Sequence, residues 1–463
     1  MATSDNWKSL NGFNQMAPRA YNRYVLCFQV EDNEAAVAHL KLCVAKLAQA
    51  RPELTSQLNV NRPIARIKQE SGRNIPVEVL EVGEKLGISY PDLQRLGFPA
   101  SYFVHDVFRV PSNNDIPALI IRIYLLDGGL ILGLHLHHSI GDGHEVGTLI
   151  TWLSAESRAD VVDQRSISFT APLGETPTIT TGKGVNDLPE WKVIPSSLPL
   201  SGPTEKHVGE IFRFDINILD GIRCRIGTSG GREKPSTTVV LAAYIWALAT
   251  KARLEGLRSL EEIGKNSRLF IPVDVRRPVL AFQNQDKDQY FGNATELSLS
   301  SIDTAELLKV CDRPNDSDVD LDLLSKRLEP LTRCIQHAIG QVDEVFVQKR
   351  YDIYAQERAP TNFVPDVDPS DKNAFVFNAW RYIGTGADQK WNIPGSLKKV
   401  GPRYPDCGRR AGGEWNFAAA VIMPSFPGAR RLEVMITLEI SALSMLKADP
   451  TFKHLTGAGA DET

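Results

Sequence analysis

Four of the nine histidines lie within ten residues, in the segment Leu-His-Leu-His-His-Ser-Ile-Gly-Asp-Gly-His that runs from position 134 to 144. A group of imidazoles this dense could bind a metal ion, transfer a proton, or pack in a core without any chemistry. These possibilities differ in which rings must share one side of the backbone.

The apolar run 130–138 predicts a β-strand, in which successive side chains point to opposite faces. His138 then shares a face with the alternating leucines that precede it, while His135 and His137 lie on the other face. A zinc site needs several imidazoles on one side, and no carboxylate or cysteine stands beside this pair, so no metal site is predicted. His138 ends an apolar stripe where the strand becomes a turn. This position favours proton transfer, with a core histidine as the alternative.

The turn after the strand reads Ser-Ile-Gly-Asp-Gly, from 139 to 143. Two glycines in three residues allow a sharp turn and leave open space beside the imidazole. Asp142 stands just before a predicted helix at 145–157, where its carboxylate can cap free backbone amides. We therefore predict a structural role for Asp142, pointing away from His138; a second catalytic group is the alternative.

The bulk properties narrow the class of protein. A chain of 463 residues is expected to form two domains. A formal net charge of -4, without a basic run, argues against a nucleic-acid partner. The six scattered cysteines indicate thiols in a reducing compartment rather than a disulfide framework or a zinc site.

No membrane or secretory segment is expected. The first residues, MATSDNWKSL, have neither a basic nor an apolar signal region. The most apolar window, 118–136, is interrupted by Arg122, Asp127 and a glycine pair, so it cannot span a bilayer as a helix. We expect a cytoplasmic enzyme or binding protein.

Strands and helices alternate along the chain, which predicts an α/β fold with mixed sheets. Strands are predicted at 24–30, 117–125, 130–138, 207–214, 268–275, 374–380, 417–423 and 432–438, and helices at 33–51, 145–157, 236–253 and most of 321–351. The Asp-Gly pair at 127–128 predicts a hairpin between two of these strands. The Pro-, Gly- and Thr-rich stretch 160–201 predicts a crossover between domains or a functional segment.

The segment 137–143 matches the pattern HHxxxDG, and on this motif the sequence resembles the coenzyme A-dependent acyltransferases called BAHD. Their fungal relatives, such as the trichothecene acetyltransferases, and the condensation domains of peptide synthetases share the shorter HxxxD motif. Further similar landmarks are Pro18-Arg19-Ala20-Tyr21, the helix 236–253, Asp274-Val275-Arg276 and Phe291-Gly292-Asn293.

The resemblance implies two domains of the chloramphenicol-acetyltransferase type, with mixed β-sheets and flanking helices. The first domain would cover 1–200 and end in the crossover at about 160–201. The second would cover 202–463, with a segment near 374–400 returning towards the first. A channel between the domains would reach His138 from both sides in a monomeric protein.

The resemblance also implies a reaction. His138 would be the general base in O-acyl transfer from acyl-CoA, most simply acetyl-CoA, to a small apolar metabolite of fungal secondary metabolism. Asp142, Gly143 and Arg276 would be structural, and acyl-CoA would be a co-substrate, with no permanently bound cofactor. An imidazole suits general base catalysis because its pKa, about 6.5, lies near neutral pH.

The sequence departs from the family pattern near its C-terminal motifs. Asn378-Ala379-Trp380 stands where family members carry Thr-Ser-Trp, and the Asn378 amide and Trp380 indole could donate to an oxyanion. A purely structural, buried Trp380 is the alternative. The DFGWG motif is missing, and Asp388 is expected to replace its acid as the partner of Arg276.

Lys251 or Arg253 is expected to face the phosphates of coenzyme A. Two other functions stay open on the sequence alone. The scaffold could catalyse condensation, amide formation or another acid–base reaction, or the chain could bind a small molecule without catalysis.

Overall fold

The structure is a computed structural model that describes residues 6–110, 115–160, 167, 184, 188–194, 205–228, 233–255, 265–276, 290–311, 320–395, 401–413 and 415–457. Within this part of the chain, we find no helix with the length and apolar character needed to cross a membrane. Most of the predicted crossover at 160–201 lies outside the described residues.

The strands confirm every predicted strand to within a few residues. They are β1 Lys8–Ser9, β2 Tyr24–Gln29, β3 Gln57–Asn59, β4 Arg66–Lys68, β5 Val77–Glu81, β6 Asp115–Pro117, β7 Leu119–Leu126, β8 Gly129–Leu136, β9 Trp191–Val193, β10 His207–Asp215, β11 Asn266–Asp274, β12 Thr295–Asp303, β13 Phe363–Pro365, β14 Ala374–Ala379, β15 Cys407–Arg410, β16 Ala419–Ile422 and β17 Arg431–Glu439.

The helices include each one that the periodicity predicts. They are Gly12–Met16, Asn33–Ala50, Gly83–Leu86, Tyr90–Arg95, Ala100–Phe103, Gly143–Arg158, Ile216–Thr228, Thr237–Leu254, Thr304–Leu308, Leu321–Gly340, Glu344–Gln356, Ile440–Ala448 and Pro450–Thr456. The prediction that most of 321–351 is helical is confirmed, and two helices occupy this stretch. Asp343 begins the second one by accepting a hydrogen bond from Phe346 N at 2.8 Å.

A five-stranded sheet carries the histidine segment, in the order β15–β2–β8–β7–β5. β7 and β8 form the predicted antiparallel hairpin. Its turn needs Gly128, whose φ of +79° lies in the left-handed region. Every residue of β8 is buried, on the face of His135 as well as on the face of the leucines. Its leucines pack in one apolar cluster and Ile131 packs in another, because both faces of this sheet are covered.

The second sheet has six strands, in the order β10–β17–β16–β14–β11–β12. The helix Thr237–Leu254 packs in its core and is buried around almost its whole circumference. Ser236 caps this helix, since its Oγ accepts a hydrogen bond from Val239 N at 3.2 Å. The Ala-rich sequence of this helix suits such a position, because small side chains allow close packing on all sides.

The two sheets exchange a segment of chain. After β14, in the second sheet, Trp391 and Ile393 are buried in the core of the first sheet. β15 then pairs antiparallel with β2 at the edge of the first sheet, before β16 and β17 return to the second. The second half of the sequence therefore completes the sheet that holds the histidine segment.

Candidate active site

Residues of both sheets line a cavity of about 910 Å³. Six of the predicted site residues meet at its wall, and these are His138, Asp142, Gly143, Arg276, Asn378 and Trp380. Lys251 and Arg253 lie elsewhere. A concave space of this size fits a small molecule and part of a larger one.

The main chain of His138 is held from two sides. The residue begins a single 3₁₀ turn, His138–Ile140, between β8 and the helix Gly143–Arg158. Its N–H donates to the carbonyl oxygen of Ala20 at 2.7 Å. Its own carbonyl oxygen accepts a hydrogen bond from Asn293 Nδ2, also at 2.7 Å. These bonds fix the position from which the ring reaches the cavity.

The imidazole of His138 suits proton uptake. Burial lowers its pKa below the usual 6.5, although the Asp142 carboxylate acts in the opposite direction. The ring is therefore neutral at neutral pH. Its Nδ1 is buried and has no hydrogen-bond partner among the described residues, which leaves Nε2 as the nitrogen that a ligand in the cavity can approach.

The other two histidines of the strand are core residues. Burial lowers the pKa values of His135 and His137 to about 3. A hydrogen bond of 3.2 Å joins the ring of His135 to Tyr124 Oη, and the ring of His137 packs edge-on against Tyr21. No group of three or more potential metal ligands occurs among the residues that the structure describes.

Asp142 caps the helix Gly143–Arg158, as predicted. Its Oδ1 accepts a hydrogen bond from His144 N at 3.0 Å. Its Oδ2 accepts two more, from Ala294 N at 3.0 Å and Thr295 Oγ1 at 2.8 Å. Burial alone would raise the pKa of Asp142, but Arg276 and these hydrogen bonds outweigh burial and lower it to about 2.

The predicted ion pair between Arg276 and Asp388 is wrong. Both terminal nitrogens of Arg276 instead donate to the Asp142 carboxylate, each at 3.1 Å. The guanidinium also donates to Glu145 Oε1 at 2.9 Å and to the carbonyl oxygen of Gly292. Asp388 is exposed, and its carbonyl oxygen accepts a hydrogen bond from Ser154. Arg276 therefore joins the second sheet to the helix that follows the histidine motif.

The glycines of the motif provide space rather than an unusual backbone conformation. Gly141 is extended, with a φ of -175°. A Cβ at this position would lie 2.5 Å from Leu136 Cδ2 and 2.9 Å from Glu145 Cβ. A Cβ on Gly143 would lie 3.2 Å from Ile383 Cδ1 at the cavity wall. A side chain at Gly141 would therefore push the helix start away from the strand.

Glu145 is a buried carboxyl that sequence reasoning missed. It lies in the first turn of the helix Gly143–Arg158, beside Arg276 and Asp142. Burial raises the pKa of Glu145 to about 8, opposed by the charge of Arg276 and reinforced by that of Asp142. The only sequence signal was a carboxylate in the first turn of a helix.

Replacing Glu145 by glutamine is expected to reduce the loss of stability at alkaline pH. The raised pKa means that this carboxyl contributes stability that is complete below its unfolded value of 4.5 and lost as the pH rises through about 8. Urea denaturation at about pH 5 and about pH 9 measures this difference. The wild type should weaken more than Glu145→Gln between these conditions. Glu306→Gln, at an exposed pair with Lys309, is the control. Equal weakening of wild type and Glu145→Gln would contradict the prediction.

Asn378 and Trp380 both reach the cavity wall. Asn378 Oδ1 accepts a hydrogen bond from Ala379 N at 2.8 Å, which leaves the amide NH₂ as the group able to donate to a ligand. Trp380 packs edge-on against Tyr24, with ring centroids 5.8 Å apart. The tryptophan therefore has a packing role whether or not its indole N–H also donates.

The structure gives Lys251 and Arg253 other partners. Lys251 Nζ forms an ion pair with Asp449 at 2.9 Å. Arg253 is buried against Glu439 at 3.0 Å, and it donates to the carbonyl oxygens of Lys372 and Ala374. The predicted phosphate contacts are therefore wrong. A cationic residue near the C-terminal end of a helix also stabilises that helix, so its position does not by itself indicate a phosphate site.

Asn14 and Asn293 were also missed as functional positions. Asn14 Oδ1 accepts hydrogen bonds from Asn293 N at 2.9 Å and from Asn293 Nδ2 at 2.8 Å. The same Nδ2 also donates a hydrogen bond to the carbonyl oxygen of His138. Asn293 stood inside the landmark Phe291-Gly292-Asn293, whereas Asn14 lay outside the landmarks. Their pairing joins positions 279 apart and has no local signal.

A model of the Transferase family matches residues 99–453 of the sequence. The chain belongs to the Transferase family. The matched residues include the histidine motif and every predicted site residue. The predicted membership of the BAHD-type acyltransferase family, and with it the prediction of a transferase, is confirmed.

Three relatives show how far the similarity extends. The trichothecene 8-O-acetyltransferase of Fusarium sporotrichioides is 23% identical over 330 residues, which cover 63% of this chain and 66% of that protein, slightly less than two thirds. TRI101 of F. graminearum, solved with coenzyme A and deoxynivalenol, matches 97% of this chain and 98% of its own, with a TM-score of 0.73 and 15% identity. Vinorine synthase matches 98% and 95% of the two chains, with a TM-score of 0.60 and 15% identity.

The structural similarities confirm the predicted fold class, a mixed α/β fold with two sheet-containing domains. Because the sequence identities are low, they show the shared fold alone. The chemistry at the cavity must be argued from this chain's own residues.

Proposed function

We propose that this protein transfers an acyl group, most simply acetyl, from coenzyme A to the hydroxyl of a small, rather apolar fungal metabolite. The observation that carries the proposal is a neutral imidazole, on His138, at the wall of a cavity of about 910 Å³. The Fusarium relative named as an O-acetyltransferase, and the TRI101 structure with coenzyme A and T-2 mycotoxin, support the choice of substrates.

His138 performs the proton transfers in this proposal. Its Nε2 removes the proton of the acceptor hydroxyl as that oxygen attacks the thioester carbon. The tetrahedral intermediate then collapses, the carbon–sulfur bond breaks, and the imidazolium returns the proton to the thiolate of coenzyme A. The ester and free coenzyme A leave. No Ser or Cys nucleophile takes part.

The oxyanion of that intermediate requires fixed donors. Asn378, which carries an amide NH₂, and Trp380, which carries an indole N–H, line the same cavity as His138 at the end of β14. We assign the oxyanion contact to these two groups. Asp142, Gly143 and Arg276 hold the start of the helix against the second sheet, so they keep the geometry of the base without touching the substrate.

Arg19 and Arg23 replace Lys251 and Arg253 in the proposal for coenzyme A binding, because both line the cavity. We further propose a monomer, since the cavity is formed by one chain, with domains at 1–200 and 202–463. A cytoplasmic location fits the six cysteines, all of which are free thiols.

The test is release of free thiol from acetyl-CoA in the presence of a panel of apolar alcohols, followed by mass spectrometry of the esters. Thiol release that depends on both alcohol and enzyme supports the proposal. Calorimetric titration with coenzyme A gives an independent measurement. A chain that neither binds coenzyme A nor releases thiol from its acetyl ester is not this transferase.

The pH dependence of the reaction should report the state of His138. Because the pKa of this imidazole is below its usual 6.5, the base is already unprotonated at neutral pH. We expect kcat/KM to rise with pH through a value below about 6.5 and to stay level above it. The measurement is the initial rate of thiol release at low acceptor concentration between about pH 4 and pH 9. A rise centred clearly above 6.5 would contradict the assignment.

A further inference from the structure

One wall of the cavity contains a buried polar cluster that the proposed reaction does not use. Glu296 on β12, Trp191 on β9 and Tyr354 in the helix Glu344–Gln356 all line the cavity. Phe13 and Phe363 line the same wall and belong with these rings to one apolar cluster. The wall therefore combines a carboxyl group with several aromatic faces.

Hydrogen bonds hold the members of this cluster in place. Trp191 Nε1 donates to Tyr354 Oη at 3.1 Å. Tyr354 Oη in turn donates to Glu296 Oε2 at 3.2 Å. The two rings meet edge-on, with centroids 6.0 Å apart. These two hydrogen bonds hold one oxygen of Glu296 in place. Because the carboxyl group is planar, they also restrict the direction of its other oxygen.

In the described part of the chain, the other oxygen of Glu296 accepts no hydrogen bond. The side chain of Glu296 is 3% exposed, and its buried Oε1 forms no hydrogen bond among the described residues. A buried carboxyl oxygen without a donor is energetically costly, so such atoms are rare unless a ligand or water donates a hydrogen bond to them. Because Glu296 lines the cavity, a ligand that enters it lies beside this side chain and can form the missing hydrogen bond after a small rotation of the carboxyl.

The buried acids of the cluster are also not fully neutralised by cations. Among the described residues, Arg350 is the cation paired with Glu296, but its closer contact is with Glu190, at 2.5 Å. Its distance to Glu296 Oε2 is 3.9 Å. Two buried carboxyls thus share one guanidinium. Burial raises the pKa of Glu296 to about 8, and the nearby charge of Glu190 adds to this effect.

We propose that this wall is a binding subsite for a hydrogen-bond donor, a hydroxyl or an amine, carried by an apolar ring-containing ligand and directed at Glu296 Oε1. Trp191, Tyr354, Phe13 and Phe363 contact the apolar part of that ligand. The subsite rests on the proposed function only in that we take the ligand to be the acyl acceptor. It makes Glu296 a residue that selects acceptors with a second polar group.

Calorimetric titration without coenzyme A, at about pH 9 so that the Glu296 carboxyl is ionised, tests the subsite separately from catalysis. The probes are 2-phenylethanol, 2-phenylethylamine and ethylbenzene, which share a ring and differ in the donor. Wild-type protein should bind the alcohol and the amine about tenfold more tightly than ethylbenzene. Glu296→Leu should remove both advantages. Glu296→Gln keeps a carbonyl acceptor, so it should retain the preference for the alcohol and lose that for the amine.

Glu210→Gln is the matched control, because Glu210 lies on a strand of the same sheet in an exposed pair with Lys447. It should bind all three probes as the wild type does. Equal affinity of the wild type for the alcohol and ethylbenzene would overturn the proposal, as would no binding of any probe at millimolar concentration. If Glu296→Leu fails to fold, Glu296→Gln still decides the amine result. If the protein releases no thiol from acetyl-CoA but binds the probes with the expected affinities, the subsite is supported and only the proposed reaction is contradicted.

Discussion

The variant His138→Ala is expected to reduce kcat for thiol release by a factor of about 100 to 10,000, which is the usual contribution of a positioned general base. The reason is the geometry of the ring: the imidazole is neutral, its Nδ1 is buried, and Nε2 remains for the acceptor hydroxyl. KM for acetyl-CoA should change little, because His138 acts on the acceptor. The measurement is steady-state thiol release at saturating acetyl-CoA.

The control for this variant is His454→Ala. His454 is an exposed histidine in the helix Pro450–Thr456, far from the residues that line the cavity. It should leave both kcat and the unfolding midpoint as in the wild type. His138→Ala should unfold near the wild-type midpoint as well, since its backbone bonds to Ala20 and Asn293 do not involve the ring. A folded His138→Ala enzyme with wild-type kcat would exclude His138 as the base.

Sequence reasoning predicted the arrangement of the histidine motif because that part of the candidate site is local. His138 and Asp142 stand four positions apart, and strand alternation followed by a helix cap determines where each side chain points. The residue types at these positions therefore carried enough information. The same holds for the hairpin of β7 and β8, which a single Asp-Gly pair predicts.

The partners across the two sheets could not be predicted in this way. Arg276 had several acids available to it, and the choice of Asp142 over Asp388 depends on how the sheets dock, across 134 positions of sequence. The partner of Arg253 could not be predicted either. The sequence around a cation in the last turn of a helix is the same whether the side chain faces solvent, a phosphate or, as here, the buried Glu439. The unpaired oxygen of Glu296 has no sequence signal at all.

The variant Asp142→Ala is expected to destabilise the protein by about 3 to 5 kcal/mol, the usual cost of removing one partner of a buried ion pair. The carboxylate accepts hydrogen bonds from both terminal nitrogens of Arg276. It accepts three more, from Ala294 N, Thr295 Oγ1 and the helix amide of His144. Its loss leaves the buried guanidinium with Glu145 at 2.9 Å and the more exposed Asp274 at 3.3 Å, and without its two-pronged contact to Asp142. Urea denaturation followed by tryptophan fluorescence at neutral pH measures the effect.

The control is Asp322→Ala, which breaks an exposed pair with Arg225 and should cost less than about 1 kcal/mol. Because Arg276 is the main reason for the cost at Asp142, adding Arg276→Met to Asp142→Ala should destabilise the protein by less than the two single changes together. The pH dependence adds a second criterion. The pKa of Asp142 is about 2, so its contribution is complete above the unfolded value of 3.8 and is lost only as the pH falls through about 2. An Asp142→Ala protein as stable as Asp322→Ala at neutral pH would show that the two sheets do not depend on this ion pair.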